Sequence, residues 1–259
     1  MTYPFPDEDG VIPAATVVIF RNCPRGGPPE LLMVQRAKEM RFAGGAAVFP
    51  GGRIDPEDAE LASKLDPSAD REVLSARVAG MRETLEETGL AIALDRAVSA
   101  AEAADARALL IEQGALAPVL ERFGWRIVPE RIVPFARWCP AIAGTFDTRF
   151  FLADLGTGAV DIAVDATENT RLFWSSAKGA LAMADAGEIS VIFPTRRNLD
   201  RLALFSSFAE AKTQADAIPV VTVTPQVTER DGEKWLLIPE HRARGYPVEG
   251  APLSQVRRG

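Results

Sequence analysis

The chain has 259 residues, and its 36 Asp and Glu against 29 Lys and Arg leave a formal charge of −7 at neutral pH. That balance argues against a protein that coats nucleic-acid phosphates, and 47% apolar with 25% charged residues is a globular rather than a disordered composition. A single histidine, His241, argues against a histidine base or ligand set, and two cysteines, Cys23 and Cys139, are too few for a tetrahedral thiolate centre.

Residues 14–20 (AATVVIF) and 31–36 (LLMVQR) are short β-rich runs separated by the Pro and Gly cluster from Pro24 to Pro29, which predicts two strands joined by a loop. Ala46 to Phe49 is a further apolar stretch, stopped by Pro50-Gly51-Gly52, and a polar segment follows to about Ala69. From Asp70 to Thr88 the apolar residues Leu74, Val78, Met81 and Leu85 recur at helical spacing, and Gly89 stands where a helix C-cap glycine belongs. Residues 99–122 are Ala- and Leu-rich and predict an inserted helix ending near Phe123-Gly124. Strand-like runs follow at 132–138, 148–153 and 172–174, then helices over 177–186 and about Thr195 to Ala215. Val220 to Val227 and Lys234 to Ile238 read as a hairpin across Asp231-Gly232. The last stretch carries turn formers without an apolar period. These elements predict an α/β (α+β) domain over residues 13–240 with a helical insert at about 99–124 and a flexible tail at 241–259.

Few cysteines suit a reducing, cytoplasmic setting. Met1 to Gly10 is acidic and proline-bearing, unlike a secretory leader, and Arg257-Arg258-Gly259 is not a peroxisomal tripeptide. The longest uncharged run, Ala217 to Thr228, has 12 residues and two prolines, too short and broken for a membrane span. A small-molecule partner is expected, with neither nucleic acid nor membrane.

The chemistry concentrates in Arg82-Glu83-Thr84-Leu85-Glu86-Glu87-Thr88-Gly89-Leu90. At about 100° per residue the stripe Leu74, Val78, Met81 and Leu85 stays within roughly 40°, while Glu83, Glu86 and Glu87 fall near 180°, 120° and 220° from it. One face is apolar and the opposite face acidic; Glu72 shares the acidic face, and Ala76, Ala79 and Gly80 leave room on it for another group. Three carboxylates in five residues repel one another on a solvated face, whereas oxygen ligands at spacing 3 and 4 converge on one Mg²⁺ or Mn²⁺. Upstream, Phe49-Pro50-Gly51-Gly52 is a strand ending in a turn whose glycines admit close backbone approach and leave a carbonyl free to act as a ligand.

Together these residues resemble the Nudix hydrolases, whose box GX5EX7REUXEEXGU is matched by Gly52, Arg82, Glu83, Glu86, Glu87, Gly89 and Leu90. Three positions depart from it: Thr84 follows Glu83 in place of a bulky aliphatic, 29 residues separate Gly52 from Arg82 where the box has 13, and the early glutamate counted back from Arg82 is Leu74. Glu72 is the nearest substitute for that acid and a candidate partner of Arg82. The resemblance implies an α/β/α sandwich with a mixed sheet, a C-terminal β-hairpin, a homodimer, and hydrolysis of a nucleoside diphosphate derivative with Mg²⁺ or Mn²⁺. On the matched positions it implies Glu86, Glu87 and the Gly51 carbonyl as metal ligands. Glu83 is a third ligand or orients the water, and Arg82 steadies these carboxylates. Glu168, before the strand ending at Trp174, is the candidate general base.

The chain is also similar to the peroxisomal coenzyme A diphosphatases in its long insert and in their second signature, LLTXR[ST]X3RX3GX3FPGG, which Leu32, Arg36, Arg41, Gly45 and Phe49 to Gly52 follow without a gap; Met33, Val34 and Ala37 depart from it. Arg36, Lys38 and Arg41 make a positive patch suited to the 3′-phosphate of coenzyme A. With Arg53, Arg137 and Arg149, the arginines Arg36 and Arg41 form the substrate-contact set, and Trp138 and Phe146 invite a nucleobase pocket. ADP-ribose, a nucleotide sugar or a dinucleotide is the alternative substrate, and a non-catalytic nucleotide-binding module is the alternative of another class.

Overall fold

The computed structural model describes residues 10–39, 43–141, 144–155 and 169–256. Its architecture hangs on β1 (Ile12–Arg21), whose Ala15, Val17 and Ile19 face one apolar cluster while Val18 and Phe20 face another. A strand buried on both faces reads as a continuous apolar run rather than as alternation, which is how AATVVIF reads. β2 (Glu30–Arg36), β3 (Ala47–Val48) and β4 (Gly51–Arg53) follow, then α1 (Pro56–Leu65), α2 (Arg71–Thr88), α3 (Ala100–Gln113) and α4 (Leu116–Phe123). β5 (Val133–Trp138), β6 (Phe146–Asp154) and β7 (Asn169–Ser175) lead to α5 (Ala177–Asp185), α6 (Phe193–Leu202) and α7 (Phe208–Ala217). β8 (Thr222–Val223), β9 (Gln226–Arg230), β10 (Glu233–Leu237) and β11 (Gly250–Pro252) complete the order.

The main sheet runs β3-β2-β1-β6-β5-β8, with β4 beside β1 and β7 beside β2. β1 and β6 pair in parallel from Ile12↔Phe146 to Phe20↔Asp154, whereas β1 meets β2 and β4 antiparallel, so the sheet is mixed. One face packs against α1 to α4 and the other against α5 to α7, giving the expected α/β/α sandwich. The hairpin β9–β10 turns on Asp231 (φ 50°) and Gly232 (φ 78°), the backbone that an Asp-Gly turn favours. No helix among the described residues is long and apolar enough to cross a membrane.

Several elements differ from their expected bounds, for local reasons. The insert is two helices, because Gly114 ends α3 with φ 66°. The helix expected over 195–215 is likewise two, parted where Ser207 caps α7 by accepting from the Glu210 N–H (3.2 Å). The segment after Gly52, expected only as polar with no element assigned, forms α1; Asp55-Pro56-Glu57-Asp58 supplies a proline at the first turn and acids beside the helix N-terminus.

The expected flexible tail is corrected up to Val256. β11 pairs with β10, and Tyr246 is buried, its hydroxyl accepting from Trp138 Nε1 (3.1 Å) and donating to Asn198 Oδ1 (3.0 Å). Single apolar anchors such as Tyr246 have no period, so a periodicity argument passes over them. Trp138 is thereby a core residue, packed edge-on against Phe193 and Tyr246, and not a wall of a nucleobase pocket. Tyr246→Phe, which strands a buried donor and a buried acceptor, should lower unfolding free energy by about 1–3 kcal/mol in a urea titration.

Candidate active site

α2 is set in place by its ends and by one glycine. The Asp70 carboxylate accepts from the Glu72 and Val73 N–H groups (3.0 and 3.1 Å), and Gly89 closes the helix in the left-handed conformation. A Cβ at Gly80 would lie 2.7 Å from a Val17 methyl, so glycine lets α2 lie close on β1. The apolar stripe joins the cluster under α1, α3 and α4, while the acidic face meets β4. Thr84, the departure from the box, is fully buried and donates its hydroxyl to the Gly80 carbonyl (2.7 Å), so its polar atom is satisfied within the helix. The insert reinforces the same element: Arg107 on α3 donates to the Glu86 carbonyl at 2.7 Å, in the last turn of α2 where a cation complements the helix dipole.

Arg82 is the hub. Its buried guanidinium donates from Nε and Nη2 to Asp58 (3.0 Å each to the nearer oxygens), from Nη2 to the Arg53 carbonyl (2.9 Å), and from Nη1 to Glu83 (2.9 Å) and Glu86 (3.5 Å); Asp55 lies 3.1 Å away. Burial works against the Arg82 charge, but the Asp58 hydrogen bonds and the Glu83, Asp58 and Asp55 carboxylates outweigh it and raise its pKa. Burial pushes Asp58 up as well, opposed by Arg82.

Asp58 corrects the expectation for the early acid. It stands six residues after Gly52, the box's own spacing between glycine and glutamate, so the insertion falls between Asp58 and Arg82. Counting back from Arg82 lands on Leu74; counting forward from Gly52 finds the residue. Glu72 does not hold Arg82: it is exposed and pairs with Arg149.

The three glutamates of the helix face the β4 turn. Glu87 is buried, accepting from the Gly51 N–H at 2.9 Å and from Asn169 Nδ2 at 3.3 Å. A Cβ on Gly52 would lie 2.4 Å from the Glu83 carboxylate, and one on Gly51 would lie 2.3 Å from the Ala15 carbonyl. Glycine at 51, where a side chain would clash with backbone, is therefore a packing requirement, while a side chain at 52 would displace the Glu83 carboxylate. Glu83 is pushed up to about 8: burial raises it most, Glu87 and Glu86 add to that, and Arg82 opposes. Among the described residues no three acidic, His or Cys side chains form a ready metal cage, since Glu83 and Glu86 turn to Arg82 and Glu87 to backbone and amide donors. The donor set still fits a hard divalent cation, because its side-chain donors are all carboxylate oxygens and burial, with Glu87 and Glu86 beside it, disfavours the Glu83 charge until a cation offsets it.

The substrate-contact set is dispersed. Arg36 ends β2 opposite Asn169 of β7, with a buried Nε that has no hydrogen-bond partner, so it is the cross-strand partner of the residue whose amide touches Glu87. Arg53 exposes its side chain on β4 while its carbonyl receives Arg82. Arg137 is engaged by Asp147 (Nε to Oδ1, 2.8 Å) and Arg149 by Glu72. Arg41 and Glu168 lie outside the described residues. Asn169 carries no sequence motif; only the fold brings it to Glu87.

Asp58→Ala, which removes the bidentate partner of a buried guanidinium, should cost about 3 kcal/mol and lower Tm by roughly 6–12 °C in calorimetry. For Glu83 the raised pKa sets the sign. In chelator, the stability contributed by its neutral form is fully present below about 4.5 and is lost as pH rises through about 8. Urea midpoints should therefore fall between pH 5 and pH 8.5, and Glu83→Gln should flatten the fall.

Among solved structures, a Nudix hydrolase from Alicyclobacillus acidocaldarius is similar with a TM-score of 0.65 at 29% identity, over 78% of this chain and 96% of that one. The MutT protein from Methanosarcina mazei Go1 (16% identity, 75% of this chain and 94% of that one, TM-score 0.41) and a C. elegans Ap4A hydrolase (19%, 69% and 89%, 0.38) are more distant likenesses. No protein-family model matches the sequence, and no curated protein matches it. A shared fold at the identity and coverage of the first of these, joined to the box that the sequence carries, supports a Nudix pyrophosphohydrolase.

Proposed function

We propose that the chain is a Mg²⁺- or Mn²⁺-dependent diphosphatase that cuts coenzyme A or its thioesters to adenosine 3′,5′-bisphosphate and a phosphopantetheine. The observation that carries the substrate class is Arg36: it belongs to the signature running into FPGG, it has an unsatisfied Nε, and it pairs across the strands with Asn169, whose amide reaches Glu87. A guanidinium in that position suits a phosphate monoester at the rim of the site, with exposed Arg53 on β4 as a second contact.

In the reaction a water oxygen attacks one phosphorus of the pyrophosphate, the anhydride P–O bond breaks, and two phosphate monoesters and a proton leave. A bound divalent cation supplies neutralisation of the pyrophosphate charge. Glu86, Glu87 and the Gly51 carbonyl hold it, and Arg82 fixes the Glu83 and Glu86 carboxylates through its fork. Glu83 orients the water, Asn169 fixes one oxygen of Glu87, and Glu168, next to Asn169 in sequence, takes the proton.

Incubation with Mg²⁺ or Mn²⁺ and coenzyme A, acetyl-coenzyme A, ADP-ribose or NADH, followed by product separation, tests this. Coenzyme A should yield adenosine 3′,5′-bisphosphate; cleavage of ADP-ribose alone would overturn the substrate, and no cleavage at all would favour a binding module. Glu86→Gln should cut turnover by about two orders of magnitude. Arg36→Ala should raise KM about tenfold for coenzyme A and much less for its dephospho form.

A further inference from the structure

On the sheet face away from α2, a cavity of about 200 Å³ opens between β5, α6 and the C-terminal stretch. Its floor is Arg201, which is 2% exposed, donates to the Phe135 carbonyl (Nη1, 2.9 Å) and Gln214 (Nε, 2.7 Å), and lies 3.9 Å over the Phe135 ring. Its third nitrogen, Nη2, is buried without a hydrogen-bond partner, and no carboxylate among the described residues forms an ion pair with this guanidinium. Burial lowers its pKa, opposed in part by the Tyr246 hydroxyl beside it. The rim adds His241, Arg242 and Arg244, while Tyr246 and Phe135 contribute aromatic wall. Gly245 (φ +91°) brings the backbone against this group: a Cβ there would lie 3.1 Å from Arg201 Nε.

We propose that this cavity binds a small phosphate monoester, with Arg242 and Arg244 gripping the oxyanion at the rim, Arg201 supplying charge from beneath, and the aromatic wall covering an apolar substituent. A dianion suits a cavity lined by three arginines and by no acid. The volume limits the ligand to a phosphate with a few carbons, smaller than a nucleotide. The site is separate from the glutamate cluster and stands whatever the substrate of the hydrolase.

Calorimetric titration of the full chain with phenyl phosphate, inorganic phosphate and benzoate tests it, alongside an Arg242→Ala/Arg244→Ala variant. Phenyl phosphate should bind at least tenfold tighter than benzoate, and at ten times Kd it should raise Tm by about 3 °C. The double variant should keep its fold and its hydrolytic turnover while losing at least tenfold in affinity. Arg201→Lys, if it folds, should lose affinity as well; if it does not, the rim variant carries the test. Absence of binding to the wild-type chain, equal affinity for benzoate, or undiminished binding in the rim variant would each overturn the proposal. Binding of inorganic phosphate as tight as that of phenyl phosphate would overturn the part assigned to the aromatic wall.

Discussion

The Arg82 guanidinium holds the site together. It lies where β4, α1 and α2 meet and takes its partners from all three: the Arg53 carbonyl, Asp58 with Asp55, and Glu83 with Glu86. A buried cation of this kind is tolerable only when it is surrounded, and here the acids outnumber it. Glu83 shows the cost: burial first, and the neighbouring Glu87 and Glu86 after it, raise its pKa against the pull of Arg82. Structural cohesion and chemical readiness are thus two sides of one charge distribution, in which Arg82 neutralises enough for folding and leaves enough negative charge for a cation.

That distribution depends on close backbone approach. Gly80 lets α2 settle on β1, Gly51 lets β4 pair tightly with the same strand, and Gly52 leaves the volume that the Glu83 carboxylate fills. The three glycines act on one distance, that between the acidic helix face and the turn. The inserted helices α3 and α4 enclose the apolar side of α2, and Arg107 fastens its last turn, so the helix is held from both sides.

Much of this was legible along the chain. The strand runs, the box helix from Asp70 to Gly89, the Asp-Gly hairpin and the three glutamates follow from period, caps and spacing, and the structure has each of them. What escaped is what depends on contact between distant segments. Asp58 was hidden because the spacing to Arg82 is broken by an insertion, although the contact between α1 and α2 closes the gap in space. Asn169 reaches Glu87 only through the pairing of β7 with β2. Arg137, Arg149 and Trp138 looked available because sequence shows no partners; Asp147, Glu72 and Tyr246 engage them. Tyr246 itself lay in a stretch without periodicity, where a single buried ring is enough to fasten the chain.

The parallel ladder between β1 and β6 joins residues 134 positions apart, from Ile12 to Phe146. Loop closure on that scale comes late, and parallel pairing depends on it. During synthesis the strand Val17-Val18-Ile19-Phe20, fully apolar and destined for the middle of the sheet, is made 134 residues before the partner it pairs with in parallel. Until then β2 and β4 cover only one of its edges. Until that partner forms, the open edge of β1 is a place for mispairing, a hazard of the same topology that sets β1 beneath the acidic helix.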